Sequence, residues 1–437
     1  MGMDLSAVKI EGFKSRIEHL KRKKGRLGRL VSEARIAGTS PANLVSELQS
    51  VSAEIKTLQK GLKHQKNAGH TVNKWNPPEI NPQAAILGRT VEGPVTVREC
   101  DSELTQAVDN YVAAHPAASL WHRPVISAFI NTLYGHPIRL FTALSSDGKV
   151  VGTIALVKLK SRLFGTYLVS LPYFNYGGIL ADNQKVAEAL ISAADSWREK
   201  EFASHVELRH VLDLEQNLPQ RSSKFAFWLP LPETPDALWT SFKPKLRAQI
   251  RRGERERPEV IFGGVEQLDA FYRVFSRNMR DLGTPVYGRD FFRGLLQSLP
   301  GQSWLVILSV QDRPVGCAFL VGYRGRLEIP WASTLRTVSH TAINMAMYWN
   351  ILKFAVAQGY TVFDFGRCTE DAGTYHFKKQ WGAQPIKLHW DYLLAPGVPL
   401  PGLNPDNPKF RFLIAVWKKL PVWIANILGP KIVRVLP

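Results

Sequence analysis

Two stretches decide the fold: "LFTALSSDGKVVGTIALVKLK", residues 140–160, and "WLVILSVQDRPVGCAFLVGYRG", residues 304–325. Each reads as a run of apolar, β-branched and aromatic residues, a short polar turn and a second such run, which is a β-hairpin pattern. The turns are "DGK" and "QDR", and Gly152 and Gly316 fall at equivalent places. The order of elements after each hairpin repeats as well. The first hairpin leads through "SRLFG" to "TYLVSLPYFNYGGIL", helical "NQKVAEALISAADSWREK" and the strand "SHVELRHV"; the second leads to "RLEIPWASTL", helical "TAINMAMYWNILKFAVAQG" and the strand "YTVFDFG". A distant internal repeat is the economical reading. It predicts an α+β fold of two tandem units, each a mostly antiparallel sheet with helices packed on it. The 437 residues, too many for one ordinary core, fit two or more domains.

At the front, Leu44, Leu48, Val51, Ile55, Leu58 and Leu62 alternate steps of four and three, an a/d seam. Phe13, Ile17, Leu20, Lys24, Leu27, Val31 and Ala34 keep the same register upstream. "AGTSPAN" between them offers Gly38 to stop one helix, Ser40 to cap the next and Pro41 to open it. Residues 1–68 are therefore expected to form a coiled-coil hairpin. Residues 69–95 read as a Pro- and Asn-rich linker, 96–228 and 229–395 as the two globular units, and 396–437 as a Pro-rich link with a basic amphipathic tail.

Formal net charge is +19, and it gathers at the ends. Residues 1–68 hold 14 Lys/Arg against 6 Asp/Glu, and residues 409–437 hold six cations with no acid. Such excess points to polyanionic partners. The tail "NPKFRFLIAVWKKLPVWIANILGPKIVRVLP" suits an anionic membrane surface, or it packs its apolar side on the second unit. No secretory leader, spanning segment, CxxC pair or HExxH is evident, so the expected setting is cytoplasmic, with peripheral membrane contact, and without metal. Cys100, Cys317 and Cys368 lie far apart.

"KLRAQIRR", "RNMRDLGTPVYGRDFF", "IPWASTL", "FDFGR" and "GTYHFKKQWGA" in the second unit resemble the FemAB-type transferases, in particular the relatives associated with exosortase and exopolysaccharide loci. The resemblance runs from about Val97 to the C-terminus and implies paired acetyltransferase-like (GNAT) domains. FemAB enzymes pass an aminoacyl group from aminoacyl-tRNA to an amine on a cell-wall precursor. The basic hairpin is similar to the tRNA-binding arm of seryl-tRNA synthetases, which would make Lys21, Arg22, Lys23, Lys24, Arg26 and Arg29 RNA contacts; a spacer or oligomerisation hairpin is the plainer alternative.

An amine attacking an ester needs a pre-placed cation for the developing oxyanion. The family motif FK-x-x-aromatic-G carries a lysine here as Phe377-Lys378-x-x-Trp381-Gly382, and the flanking aromatics would exclude water. Lys378 is the expected catalytic cation, against a lysine merely snorkelling from a helix start. Asp364 can orient the nucleophile or pair with Arg367. Tyr375 can hydrogen-bond a substrate carbonyl or simply pack. No histidine is placed to activate Cys368, so a thiol nucleophile is not expected.

Arg280, Asp281, Tyr287 and Arg289 surround a Gly-Thr-Pro turn and read as substrate-binding, with helix capping by Asp281 as the alternative. Ser333 is preferred over Trp331 as a contact, and Asn344 and Tyr348 share a helix face. Lys245, Arg247, Arg251 and Arg252 form a cluster fit for pyrophosphate or RNA backbone, or a solvated face. His122, Arg123, Tyr173, Asn175 and Tyr176 hold the corresponding place in the first unit, where the family tends to bind the acceptor.

The best-supported reading is an aminoacyl-tRNA-dependent transferase acting on a cell-envelope or lipid- or nucleotide-linked saccharide amine, with no cofactor beyond its donor. An acyl-CoA-dependent N-acyltransferase is the second reading. No intact R/Q-x-x-G-x-G/A loop stands ready for CoA; the segments 162–167 and 280–285 come nearest. A non-catalytic RNA- or membrane-binding scaffold is the third.

Overall fold

The computed structural model describes residues 5–68, 75–85, 88–161, 165–221, 223–401 and 408–436. It divides into two compact units, residues 1–75 and 76–437.

The first unit is two helices, Leu5–Ile36 and Ala42–Ala68. Gly38 ends the first with φ +72, the left-handed conformation that glycine adopts without strain. Leu20, Leu27, Val51 and Ile55 pack together as the expected seam, with Leu44, Leu48 and Leu58 against them. Lys24 is exposed rather than seated in the seam. Arg16–Glu54 and Lys23–Glu47 pair the two helices at 3.3 and 2.9 Å. The side chains of Phe13 and Leu62 lie outside the described residues.

The second unit holds two sheets. In order across the first are Thr96–Glu99, Ile138–Leu144, Val150–Ser161, Gly165–Val169, His205–His210, His389–Leu394 and Gln220–Arg221, with Leu180–Ala181 beside Val150–Ser161. The second runs Gln384–Lys387, Lys224–Pro230, Val362–Thr369, Arg326–Thr334, Arg313–Tyr323, Ser303–Val310 and Glu259–Gly263. Both hairpins form as read, and each sheet is antiparallel except for one parallel pair: Gly165–Val169 with His205–His210, and Arg326–Thr334 with Val362–Thr369.

The expected boundary between residues 228 and 229 falls inside a strand. Lys224–Pro230 belongs to the second sheet, and His389–Leu394, expected with the second unit, closes onto His205–His210 of the first. Each lobe therefore takes a strand from the sequence assigned to the other. One apolar core runs across both sheets, joining Val169, Tyr176, Trp228, Phe319 and Trp390, and a separate one lies under helix Gln184–Lys200. Helix Gln184–Lys200 covers the first sheet; Leu268–Leu282 and Ile343–Ala357 cover the second.

The tail is not a free appendage. Helices Pro408–Lys419 and Val422–Val433 lie against Leu268–Leu282, and Val433 enters the shared core. Tyr167 and Tyr173 donate to the carbonyls of Val435 and Arg434 at 2.8 Å. The outer sides of the same helices leave Phe412, Leu413, Val416, Trp423 and Ile427 exposed. The expectation that the tail packs an apolar side on the second unit holds.

The two equivalent glycines differ in room. A Cβ on Gly152 would lie 2.6 Å from Val186 Cγ1 and 3.0 Å from the Leu180 carbonyl, whereas on Gly316 its nearest neighbour would be the flexible Met347 sulfur at 3.2 Å. Gly152→Ala should cost about 1–3 kcal/mol of stability and Gly316→Ala clearly less, read as the ordering of their thermal unfolding midpoints.

Candidate functional site

The parallel pair of the second sheet holds for only three residues: Arg326 faces Val362, Leu327 faces Phe363, and Glu328 faces Asp364. Beyond that point the strands part. Gly366, at φ +69, takes a backbone conformation costly to other residues, and the register against Lys224–Pro230 shifts there. The gap between the diverging strands is a cavity of about 270 Å³. Tyr173, Tyr287, Trp331, Tyr348 and Phe365 supply aromatic walls, and Lys378 and Arg367 supply charge.

Lys378 comes from the short helix Gly373–Lys379. Phe377 and Trp381, flanking it, pack on Tyr348 at ring distances of 5.0 and 6.0 Å, and this holds the helix against the site. The lysine is 7% exposed. Its Nζ donates to the carbonyls of Gly366 (2.8 Å) and Arg367 (2.9 Å), which leaves one of three N–H groups for a ligand. Burial lowers its pKa to about 8, opposed by Asp364 and Glu328. Lys378 is therefore buried beside the cavity, where residues of both lobes meet.

Asp364 is fully buried, and it does not pair with Arg367. It accepts from Tyr176 Oη (2.7 Å) and from the Gly366 N–H (2.8 Å). Its partner across the strand, Glu328, escaped the sequence reading. Glu328 accepts from Trp121 Nε1 and Asn175 Nδ2, both at 2.7 Å. All three side-chain donors come from the first lobe. Burial raises both carboxyls, and the neighbouring Asp364 charge helps push Glu328 up to about 8. Arg326, over the Trp228 ring at 4.6 Å, opposes the rise. A hydrophobic strand hides such an acid in sequence; its only signal is a lone charge amid apolar residues in "RLEIPW".

Of the other expected residues, Tyr173, Asn175, Tyr287, Tyr348 and Arg367 line the cavity. Tyr173 does so with φ +79, a strained conformation for a tyrosine. Tyr176 donates to Asp364 and is not among the lining residues. The rest fall elsewhere. Tyr375 packs edge-on against Phe225 and Phe227. Arg280 pairs with Asp281 and donates to the Leu420 carbonyl, so this pair anchors the tail helices instead of a substrate. Arg289 lies at the surface against Asp269 and Tyr272. Ser333 accepts from Asn278 Nδ2 under the Leu268–Leu282 helix, and Asn344 lies outside the cavity, which takes Trp331 instead.

Lys245, Arg251 and Arg252 are exposed and line no part of the Lys378 cavity, with Arg247 half-buried beside them; Arg251 covers the Trp239 ring. His122 is buried with both contacts to Ser119, and burial lowers its pKa to about 3. Arg123 makes a two-pronged pair with Asp109 and reaches Gln302 of the other lobe. Lys21, Arg22, Lys23, Lys24, Arg26 and Arg29 are all exposed. Burial raises the Cys368 thiol, which fits no thiolate role. Residues 162–164 lie outside the described residues, and Gly283 of the other glycine loop is covered by Ile414.

Residues 240–379 match the family described as acetyltransferase (GNAT) domain. Among solved structures, FemX is similar at 16% identity with a TM-score of 0.54, over 68% of this chain and 97% of FemX. The chain has the tandem GNAT-like fold of FemX. A tandem GNAT protein from the clavulanic acid biosynthesis pathway (12% identity, TM-score 0.46, 70% of this chain and 100% of that one) is also similar. So is L-PGS from Bacillus licheniformis (15%, 0.44, 74% and 98%). Curated protein sequences give no significant match. The GNAT match includes Lys378 and the second-lobe lining of its cavity, while Tyr173 and Asn175 lie outside it.

The buried acid pair makes stability depend on pH. Glu328 holds its proton to about pH 8 when folded and to about 4.5 when unfolded, so the folded chain binds the extra proton between these values. Stability should fall as pH rises from about 5 to 8 and fall less in Glu328→Gln. Glu328→Ala should cost about 1–3 kcal/mol throughout, because Trp121 and Asn175 lose their acceptor; thermal midpoints across pH read both.

Proposed function

We propose that this chain transfers an aminoacyl group from aminoacyl-tRNA to an amine on a lipid-linked cell-envelope saccharide precursor. The observation that carries the reading is the buried Lys378 ammonium, fixed by two carbonyls with one donor left toward an aromatic cavity. In the reaction the neutral amine nitrogen attacks the ester carbonyl carbon. The C–N bond forms, the ester C–O bond breaks, and the amine's proton leaves as the ribose oxygen takes one up. Negative charge appears on the carbonyl oxygen in between, and a cation of low hydration is worth most there. The resemblance of the whole body to FemAB enzymes supports the aminoacyl donor.

The hairpin supports tRNA as its carrier. Lys21, Arg22, Lys24, Arg26 and Arg29 are exposed, and none of them forms a salt bridge among the described residues. The tail supports a lipid-linked acceptor over a nucleotide-linked one. Its outward apolar residues are accompanied by exposed Lys418, Lys419 and Lys431, and a groove of about 630 Å³ lined by Lys158, Lys160, Lys431 and Arg434 adjoins it. That combination fits anionic headgroups.

Lys378→Ala should lower the transfer rate roughly 10²–10³-fold with little change in KM. In the wild type the rate should fall as pH rises through about 8, where the ammonium deprotonates; Lys378→Arg should shift that limb upward. A Lys378→Ala enzyme of full activity overturns the reading. Transfer from acyl-CoA with none from aminoacyl-tRNA overturns the donor alone.

RNA recovered with the purified full chain should include charged tRNA. Replacing Lys21, Arg22, Lys24, Arg26 and Arg29 together by Glu should remove it while the unfolding midpoint of the body stays in place. Unchanged recovery would assign the hairpin another partner.

A further inference from the structure

The tail helices carry a surface that the fold does not use. In Val422–Val433 the buried residues Ala425, Gly429 and Val433 recur in steps of four and form the inner stripe. A Cβ on Gly429 would lie 2.8 Å from the Val286 nitrogen, so the chains meet there without room to spare. The outer side is apolar as well. Trp423 and Ile427 are 66% and 54% exposed, and Leu428 and Ile432 stand in solvent beside them. Phe412, Leu413 and Val416 are exposed on helix Pro408–Lys419, which only Leu420 and Pro421 separate from the second helix. A helix apolar on every side is ordinarily buried on every side, and a patch of large exposed side chains marks a contact.

The charges around the patch name its occupant. Residues 409–437 hold no acid. Lys418, Lys419 and Lys431 are exposed, with no carboxylate partner among the described residues. Lys160 adds another exposed cation in the groove beside Lys431 and Arg434, while Lys158 of that groove is answered by Glu201. A second copy meeting this face across a two-fold axis would set these lysines against their own images, and protein interfaces are depleted in lysine. RNA would meet the cations and leave Phe412, Trp423 and Ile427 in water. An anionic bilayer answers both, with headgroups for the lysines and an acyl boundary for the apolar side chains. Each helix has 12 residues, about 18 Å, against a hydrocarbon core of roughly 30 Å, so it lies along the surface.

We propose that the outer face of helices Pro408–Lys419 and Val422–Val433 docks this chain on an anionic lipid bilayer. The docked element is bonded to the walls of two cavities. Tyr173, which lines the Lys378 cavity, and His136 contact the Arg434 carbonyl at 2.8 and 2.9 Å. Tyr167 donates to the Val435 carbonyl and lines a larger cavity of about 780 Å³, rimmed by Arg209, Arg221, Lys224 and Arg367. Arg367 lines both. A chain held by its tail therefore keeps each cavity one tyrosine away from the docked helix. Docking rests on no step of the transfer reaction; its use, access to a lipid-linked acceptor, rests on that reading.

The test is co-sedimentation of the full chain with vesicles of equimolar phosphatidylglycerol and phosphatidylcholine, against vesicles of phosphatidylcholine alone. Lys21, Arg22, Lys24, Arg26 and Arg29 are replaced by Gln throughout, so that the basic hairpin contributes little attraction. The chain should bind the mixed vesicles about tenfold or more tighter than the neutral ones. Phe412→Ala/Trp423→Ala and Lys419→Gln/Lys431→Gln should each weaken binding roughly tenfold without moving the thermal midpoint, because these side chains face solvent. Lys378→Ala should dock as its parent does, so loss of transfer and loss of docking are distinguishable. A chain that stays in the supernatant, or binding undiminished in Phe412→Ala/Trp423→Ala, overturns the proposal. A soluble dimer that the same pair of substitutions dissociates assigns the face to a second copy and overturns it too.

Discussion

Everything at the centre of this molecule depends on two acids facing each other across a strand pair. Glu328 and Asp364 are the last residues of the second sheet to stay in parallel register. Beyond them the sheet opens. Two carboxyls in a dry interior are costly unless each oxygen finds a donor. The first lobe supplies Trp121, Asn175 and Tyr176 for that purpose, and the Gly366 backbone supplies the fourth. The constraint works both ways. The acids need the first lobe's donors, and those donors set the loop 170–178 at the mouth of the split. Tyr173, strained at φ +79, is held over the cavity by this loop and by the Arg434 carbonyl.

The electrostatics of the niche follow from that arrangement. Lys378 would lose its charge in an apolar pocket without nearby acids, while an exposed lysine would keep its charge and lose its effect to water. Asp364 and two backbone carbonyls hold it between these limits. Its pKa near 8 leaves it charged at neutral pH while its desolvation makes the charge count. Asp364 thus acts as the field that supports the cation, and the ion pair with Arg367 that its sequence position suggests does not form. Arg367 is left to stack on Trp390 while still lining the Lys378 cavity.

Sequence periodicity made the two hairpins, their helices and the coiled coil readable, because local alternation and heptads carry that information. Lys378 and Tyr287 were singled out through motif, and Tyr348 through its helix face. Glu328 and Arg326 were not, since a lone charge in an apolar strand has the same pattern whether it is buried or lies at an edge. Arg280, Asp281 and Ser333 were misplaced because loop composition does not say which neighbour covers the loop; here the tail helices cover it, with Arg280 donating to the Leu420 carbonyl. The lobe boundary was missed for a related reason. Strand pairing across more than 150 residues, as between His205–His210 and His389–Leu394, leaves no local trace.

That long-range pairing also explains why the site is stable enough to hold strain. His389–Leu394 follows the second lobe in sequence yet pairs in the first sheet, so the first lobe does not complete its sheet alone. Opening the cleft by rigid separation would strain the short link from Gln384–Lys387 in the second sheet to His389–Leu394 in the first and part the shared core. Substrates must therefore enter a cleft of nearly fixed width, and specificity falls to the walls already in place. The cations at the rim of one cavity and the aromatic side chains around the other meet at Arg367, which sits on the exchanged ladder itself: its strand pairs with Lys224–Pro230, and its guanidinium rests on Trp390 of His389–Leu394. The strand exchange that joins the lobes also fixes the distance between the two cavities.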